Sequence, residues 1–297
     1  MNTGDGRFAD VRVGDATVRT FFLQAGEPVR GDILLMHTGG AGASAHMCWY
    51  RNVDALAEAG YRVTAPDAPG FGRSEAAGSG NVSAADFIGA LLDHLGVERA
   101  HLAGNSMGGV TCARFAADHP ERVRSLTLSG GEPRVATDAV RAIGSLGATP
   151  RNDFVREMFG KPRLTIEDMR RATADFLCDR DHPDVDVIAQ RRLDNLSDAG
   201  AYQRARDNAM GQVARRGAEG TPEHLSRIQA PTFLLHGRDE LWFYPDEHRP
   251  ALTEAAMLAA LVIPNCTLTM LPDCGHWPQI EQAARYNALL LDFLGSV

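Results

Sequence analysis

The chain has 297 residues, 44% hydrophobic, 23% charged and 7% aromatic, enough apolar material to bury one large core or two ordinary ones. Thirty basic residues face thirty-eight acidic ones, a net charge of -8 that argues against a surface built to grip nucleic-acid phosphates or anionic lipid. No apolar run reaches the ~20 residues of a membrane helix, and the opening MNTGDGRFADVRVGD lacks a basic-then-apolar leader, so a cytoplasmic protein is expected.

In chain order, RTFFLQAG and DILLMH read as strands, the stretch around WYRNVDALAEAG as a helix and YRVTAPD as the next strand. This is a hairpin-like entry into β-α-β units, hence a sheet that becomes parallel. Ser83 with Asp86 predicts a capping box, and Phe87, Ile88, Leu91, Leu92 and Leu95 follow at helical spacing. An apolar strand at 100–104 leads to a helix from about Met107 to Asp118, and VRSLTLSG is a further strand. The alternation resumes with PTFLLHG at 231–237 and CTLTMLPD at 266–273, then closes on an amphipathic helix, IEQAARYNALLLDFL.

Residues 134–224 differ in composition, holding 15 basic and 15 acidic residues. Thr165 and Asp168 predict the cap of one helix there, ahead of Met169, Phe176 and Leu177, and VDVIAQRRLDNL predicts a second. The economical organisation is an α/β core from 1–133 and 225–297 with a helical cap, 134–224, set into it. Apolar residues in the insert are few for a separate domain.

Several chemistries drop out. Cys48, Cys112, Cys178, Cys266 and Cys274 are scattered without a CxxC pair, which predicts free thiols rather than disulfides or zinc ligands. The histidines form no HExxH, and no metal site is expected. Lys161, the only lysine, precedes proline rather than the Ser or Thr of a phosphate loop, and its charged surroundings disfavour a Schiff-base role.

Gly104-Asn105-Ser106-Met107-Gly108 fits the G-x-S-x-G nucleophile elbow and lies where that motif must lie, between a strand and a helix. The tight turn lifts the Ser106 hydroxyl to the helix start and aims the Met107 N–H at a developing oxyanion. A serine needs a base and the base an orienting acid, in the chain order Ser, acid, His. His276, between the last strand and the terminal helix, is the candidate base. His94, His101 and His119 read as packing or surface residues, and His182, His224 and His248 as solvent-facing ones. For the acid, HGRDE ends a strand with Asp239 and Glu240, of which one can face His276. Asp is the commoner acid, whereas the register of enzymes that this elbow resembles, glycine plus three, selects Glu240, the turn after the strand fixing which way each position points; Glu132 is a further alternative. The loop His37-Thr38-Gly39-Gly40-Ala41-Gly42 should supply the second oxyanion donor through the Gly39 N–H, with His37 held structurally beneath it. A competing reading takes the glycines from Gly40 onward, with Asp67, as a dinucleotide fingerprint, although bulky Met47, Cys48 and Trp49 follow at once.

GNSMGG at 104–109, PGFGRS at 69–74, CGHW at 274–277 and the glycine-rich stretch before Tyr50-Arg51-Asn52 together resemble the α/β-hydrolase superfamily. Within it they resemble the meta-cleavage product hydrolases, which split carbon-carbon bonds in ring-opened catabolites. The resemblance implies a mostly parallel central sheet flanked by helices, with an inserted helical cap. It implies no cofactor, a small-molecule substrate, and compatibility with a homo-oligomer. Ser106 and His276 would act on a ketonised vinylogous β-diketone. A cap arginine, Arg191 by position with Arg192 a close second, would hold the substrate carboxylate. Gly40, Asn105, Phe176 and Trp277 would contact substrate. Thr38, Ala41 and Cys48 depart from the family loop, and about 35 residues separate the acid from His276, longer than usual. An ester, lactone or polyketide-like substrate is therefore an alternative, and a ligand receptor on the same fold a distant one.

Overall fold

A computed structural model describes residues 5–76, 82–130, 157–197, 199–214, 222–240 and 249–297. Runs of apolar residues build one sheet from β1 (Asp5–Val13), β2 (Ala16–Ala25), β3 (Gly31–Met36), β4 (Tyr61–Pro66), β5 (Ala100–Asn105), β6 (Val123–Ser129), β7 (Thr232–Gly237) and β8 (Cys266–Leu271). Their spatial order is β1-β2-β4-β3-β5-β6-β7-β8. The β1–β2 hairpin is antiparallel, β2 joins β4 antiparallel, and from β4 onward every pairing is parallel. Every residue of β5 and of β7 is buried, as expected of parallel strands covered on both faces.

The helices are α1 (Ala45–Trp49), α2 (Val53–Glu58), α3 (Ala84–His94), α4 (Met107–Asp118), α5 (Ile166–Ala174), α6 (Val185–Asp194), α7 (Ala199–Ala214), α8 (Pro222–Leu225), α9 (Arg249–Val262), α10 (Pro278–Glu281) and α11 (Ala283–Gly295). On one face of the sheet α3, α4, α8 and α9 cover a core that includes Phe87, Leu91, Phe115, Leu225 and Ala259. On the other, α1, α2 and α11 bury Trp49, Leu56, Tyr286 and Leu290. α4 runs over the span expected from sequence. The helix expected around 49–60 is instead two, because Ser44 caps an earlier start by accepting from the Met47 N–H at 3.2 Å and the chain turns at Tyr50–Asn52. The terminal helix is likewise broken, at Gln282 (φ -126°, ψ 47°).

Helices α5, α6 and α7 lie between β6 and β7 and pack their own apolar cluster, Met158, Phe159, Met169 and Tyr202 among others, against Ala41 of the body. The Thr165–Asp168 capping box is complete, with bonds in both directions, whereas at Ser83 only the Asp86 N–H bond to the hydroxyl is made. Residues 134–156, 198 and 215–221 of the expected cap lie outside the described residues. Among the described residues no helix is long and apolar enough to cross a membrane.

Leu102, 1% exposed at the centre of β5, tests this packing. Leu102→Ala is expected to lower the unfolding free energy by about 2–5 kcal/mol, read as a lower urea midpoint at unchanged slope.

Candidate active site

β5 ends at Asn105 and α4 starts at Met107, so Ser106 alone makes the turn, at φ 55° and ψ -118°. Among described non-glycine residues only Ser106 and Asp273 have positive φ. Such backbone costs on the order of 1–3 kcal/mol and persists where its surroundings enforce it. The Ser106 N–H donates to Ser129 O at 2.8 Å, and Val110 N–H donates to Ser106 O at 3.0 Å. A Cβ at Gly108 would lie 2.3 Å from Met36 O, and one at Gly104 would lie 2.4 Å from Gly108 O. Strand, turn and helix therefore approach to a distance that only glycine allows. The Met107 N–H belongs to the first turn of α4, where a donor has no acceptor within the helix.

His276 follows β8 and is 1% exposed. Its Nδ1 lies 3.0 Å from Glu240 Oε1, its carbonyl accepts from Asn105 Nδ2 at 3.1 Å, and its N–H donates to Phe176 O at 3.0 Å. With the carboxylate as acceptor the proton sits on Nδ1, leaving the Nε2 lone pair as the basic one. Asp239 turns away: its Oδ2 accepts from the Asp273 N–H at 2.9 Å and from Arg238 at 3.2 Å. The pair left open by the sequence therefore divides, with Glu240 toward His276. Glu132 lies outside the described residues. Glu240 has a second imidazole nearby, His236 Nδ1, 3.7 Å from its Oε2.

The loop after β3 is held from below by His37. The Ala68 N–H donates to its Nε2 at 2.9 Å, so Nδ1 carries the proton and donates to Thr38 O at 2.6 Å. Gly39 and Gly40 are half-buried, and Gly40 stands at φ 101°. At Gly42, φ 69°, a Cβ would lie 2.1 Å from Arg192 O, which explains a glycine there. Cys48 is buried and accepts from Gln279 Nε2 at 3.3 Å; burial first of all pushes its pKa up to about 12, which leaves it an inert thiol. Asp67 accepts from the Ala45 N–H at 2.7 Å and the Arg73 N–H at 2.9 Å. Both of its oxygens are thus spent on backbone, which removes the dinucleotide reading.

From the segment between α5 and α6, Phe176 stacks on Trp277 with ring centroids 4.4 Å apart and lies 5.4 Å from the His276 ring. Arg192, not Arg191, stands beside them. Its guanidinium lies 5.5 Å from the Phe176 ring and 5.9 Å from that of Trp277. Arg192 is 4% exposed; Nε donates to Ala41 O and Nη1 to Thr173 Oγ1, both at 3.0 Å, and none of its described contacts is a carboxylate. Burial alone lowers its pKa to about 10. Arg191 is rotated about 100° around α6. It lies 4.1 Å from the centre of the Tyr50 ring and 3.4 Å from His46 O. Asn105, expected at the substrate, is fully buried, and its amide nitrogen reaches Ser129 O, Ser129 Oγ and His276 O at 3.1–3.3 Å. That nitrogen serves the framework. A small cleft is lined by Gly40, Gly42, Phe71, Leu196 and Arg204 and shares only the glycine loop with the site. Among the described residues no group of three or more His, Cys, Asp or Glu side chains is arranged to hold a metal.

A family model described as the alpha/beta hydrolase fold matches residues 32–283. The chain belongs to the α/β-hydrolase family. It is 32% identical over 295 residues to the 2-hydroxy-6-oxononadienedioate/2-hydroxy-6-oxononatrienedioate hydrolase of Paraburkholderia phymatum, covering 97% of this chain and 95% of that one. It is 30% identical over 298 residues to the 2-hydroxy-6-oxo-6-phenylhexa-2,4-dienoate hydrolase of Burkholderia cepacia, covering 96% of each. A meta-cleavage product hydrolase from Pseudomonas fluorescens has the same fold, with a TM-score of 0.76 at 27% identity over 99% of this chain and 98% of that one. The chain is accordingly an α/β-fold hydrolase, and its relatives include carbon-carbon bond hydrolases.

Some residues that shape the hydrolase site were given no role from sequence, although Arg51 and Asn52 stand in the stretch that carries the family resemblance. Arg51 makes a two-pronged ion pair, 2.5 Å on each prong, to Asp184 at the start of α6. Asn52 Nδ2 donates to Asn287 Oδ1 at 2.7 Å and to Gln279 O at 3.1 Å, joining α2 to α10 and α11. Glu281 accepts backbone N–H groups on both sides of His276. The one available signal was proximity in sequence to the motif residues.

Burial lowers the pKa of His37, of His46 with help from Arg191 and Arg73, and of His101 with help from Arg124 and Arg99, each to about 4. Below pH 6.5 the unfolded chain protonates these rings while the folded hydrolase does not, so stability falls as pH drops from 6.5 toward 4. Burial raises Asp67 to about 6 and raises Glu281 as well, which has the opposite sign and offsets part of the histidine effect below pH 6. The urea midpoint is expected to fall on acidification from pH 7 to 4.5, at roughly 1.4 kcal/mol per pH unit for each uncompensated proton. An unchanged or rising midpoint contradicts neutral His37, His46 and His101 in the folded protein.

Proposed function

We propose that this hydrolase cleaves a carbon-carbon bond in a ring-opened, meta-cleavage-type dienoate, with Ser106 as nucleophile, His276 as base and Glu240 as its acid partner. The observation that carries the reading beyond a general serine hydrolase is Arg192, a buried cation whose described partners are a carbonyl and a hydroxyl, beside the Phe176–Trp277 stack that borders His276. A substrate carboxylate is the counter-charge such a group suits. The names of the relatives, dienoates and dienedioates, support the same class.

In this mechanism the dienol first becomes the keto tautomer, its hydroxyl proton moving to carbon. Ser106 Oγ then adds to the ketone while its proton passes to His276 Nε2, and the resulting oxyanion accepts from the Met107 and Gly39 N–H groups. When the tetrahedral centre collapses, the pair of the breaking carbon-carbon bond enters the conjugated system next to the carboxylate held by Arg192, giving a dienolate whose oxygen takes up the proton from His276. The dienoic acid leaves. Water, deprotonated by His276, hydrolyses the ester left on Ser106 and releases a second carboxylic acid. Glu240 keeps the Nδ1 proton in place and stabilises the imidazolium at each transfer.

Paired assays with a ring-fission dienoate and a p-nitrophenyl ester test the reading: a dominant dienoate rate is expected, and a dominant ester rate with no dienoate turnover would assign an esterase or lactonase instead. Ser106→Ala is expected to lower kcat by about 10⁴ or more, and Glu240→Gln to cost far more than Asp239→Asn. An active Ser106→Ala enzyme, or the reverse order of the two acid variants, overturns the triad. Arg192→Leu should raise KM for the acidic substrate by about 10-fold or more and affect a neutral ester much less, while Arg191→Leu leaves both nearly unchanged. Equal effects of Arg192→Leu on the two substrates contradict its assignment to the carboxylate.

A further inference from the structure

Glu281, the last residue of α10, folds its side chain back toward the helix start. Oε1 accepts from the Gly275 and Trp277 N–H groups, both at 3.1 Å, and Oε2 from the Cys178 N–H at 2.8 Å and again from Gly275 at 3.1 Å. One carboxylate thus grips the backbone on either side of His276 and, at the same time, a residue of the inserted segment between α5 and α6. The N–H between those two, that of His276, donates to Phe176 O at 3.0 Å, from the same segment. A Cβ at Gly275 would lie 2.8 Å from Cys178 N and 3.0 Å from Phe176 O, so the two stretches touch backbone to backbone. Charge-assisted bonds to backbone N–H groups are about twice as strong as neutral ones, so this carboxylate is the principal clamp of the histidine loop.

We infer that Glu281 is a positioning residue for His276, which couples the seating of the 176–178 segment to the placement of the catalytic base. The inference rests on His276 as the base of the proposed triad. Its physical content is that the imidazole stands correctly between Ser106 and Glu240 only while the loop and the inserted segment share this carboxylate. Displacements of about 1 Å in a reacting group can cost of order 100-fold in rate.

The test uses the full-length enzyme and its Glu281→Gln and Glu281→Asp variants. Gln retains the shape but puts an amide NH₂ where an acceptor is needed, and Asp retains the charge on a shorter stem. A fluorophosphonate probe reads the reactivity of Ser106 without reference to the natural substrate. Glu281→Gln is expected to slow phosphonylation and kcat by about 10- to 100-fold with KM changed less than about threefold, and Glu281→Asp to recover part of the loss. Hydrogen exchange at Gly275, Trp277 and Cys178 should accelerate together in Glu281→Gln, at a thermal midpoint that leaves the protein folded at the assay temperature. Labelling of Glu281→Gln at the wild-type rate overturns the inference. So does a loss that merely follows the unfolded fraction, or faster exchange at Cys178 without change at Gly275 and Trp277. If Glu281→Gln does not fold, the same exchange and labelling measurements on Glu281→Asp decide. A wild-type enzyme that the probe does not label at Ser106 instead refutes the nucleophile assignment itself.

Discussion

The backbone conformation of Ser106 is the constraint on which the rest of the site is built. A non-glycine residue at φ 55° is held there by a bond to Ser129 O and by contacts in which Gly104 and Gly108 leave no room for a side chain. The strain places one hydroxyl above the carboxyl ends of the parallel strands. Everything else with chemistry arrives at that edge by topology: the glycine loop from β3, Glu240 from β7 and His276 from β8. The same edge is where open parallel sheets generally bind ligands.

Body and inserted helices share the site through backbone rather than surface contacts. The glycine loop gives its carbonyls to α6, Ala41 O to Arg192 at 3.0 Å and Gly42 O to Asn195 at 2.9 Å. The histidine loop is bound to the 176–178 segment through Phe176 O and Glu281. Both partners of the proposed nucleophile, the oxyanion loop and the base, are thus registered against the element that carries Arg192. In the proposed reaction a substrate held by its carboxylate at Arg192 would thereby be registered against Ser106, which is how a remote charge can select the carbonyl to be attacked.

Elements whose signal is local were legible in the sequence. The elbow needs only strand, turn and helix in succession, and α4 fell on its expected span because nothing tertiary competes with that pattern. The break between α1 and α2 was not legible, since it follows from Asn52 reaching side chains and carbonyls far along the chain. Arg191 and Arg192 could not be separated because α6 carries charge around most of its circumference, so composition gives no helical phase; only the packing of Ile188 and Ala189 fixes it. Asp239 and Glu240 are a similar case: neighbours on a turn point apart, and the Asp273 N–H decides which one is drawn away. Glu281 was invisible because a carboxylate whose partners are all backbone N–H groups leaves no complementary charge to find.

The most direct test of the central claim is to trap the covalent enzyme. Acid quenching during turnover of a p-nitrophenyl ester, followed by proteolysis and mass spectrometry, should locate a single acyl group on the peptide carrying Ser106, and none in a His276→Ala variant. An acyl group on any other residue, or one on Ser106 that forms equally fast without His276, would contradict the account.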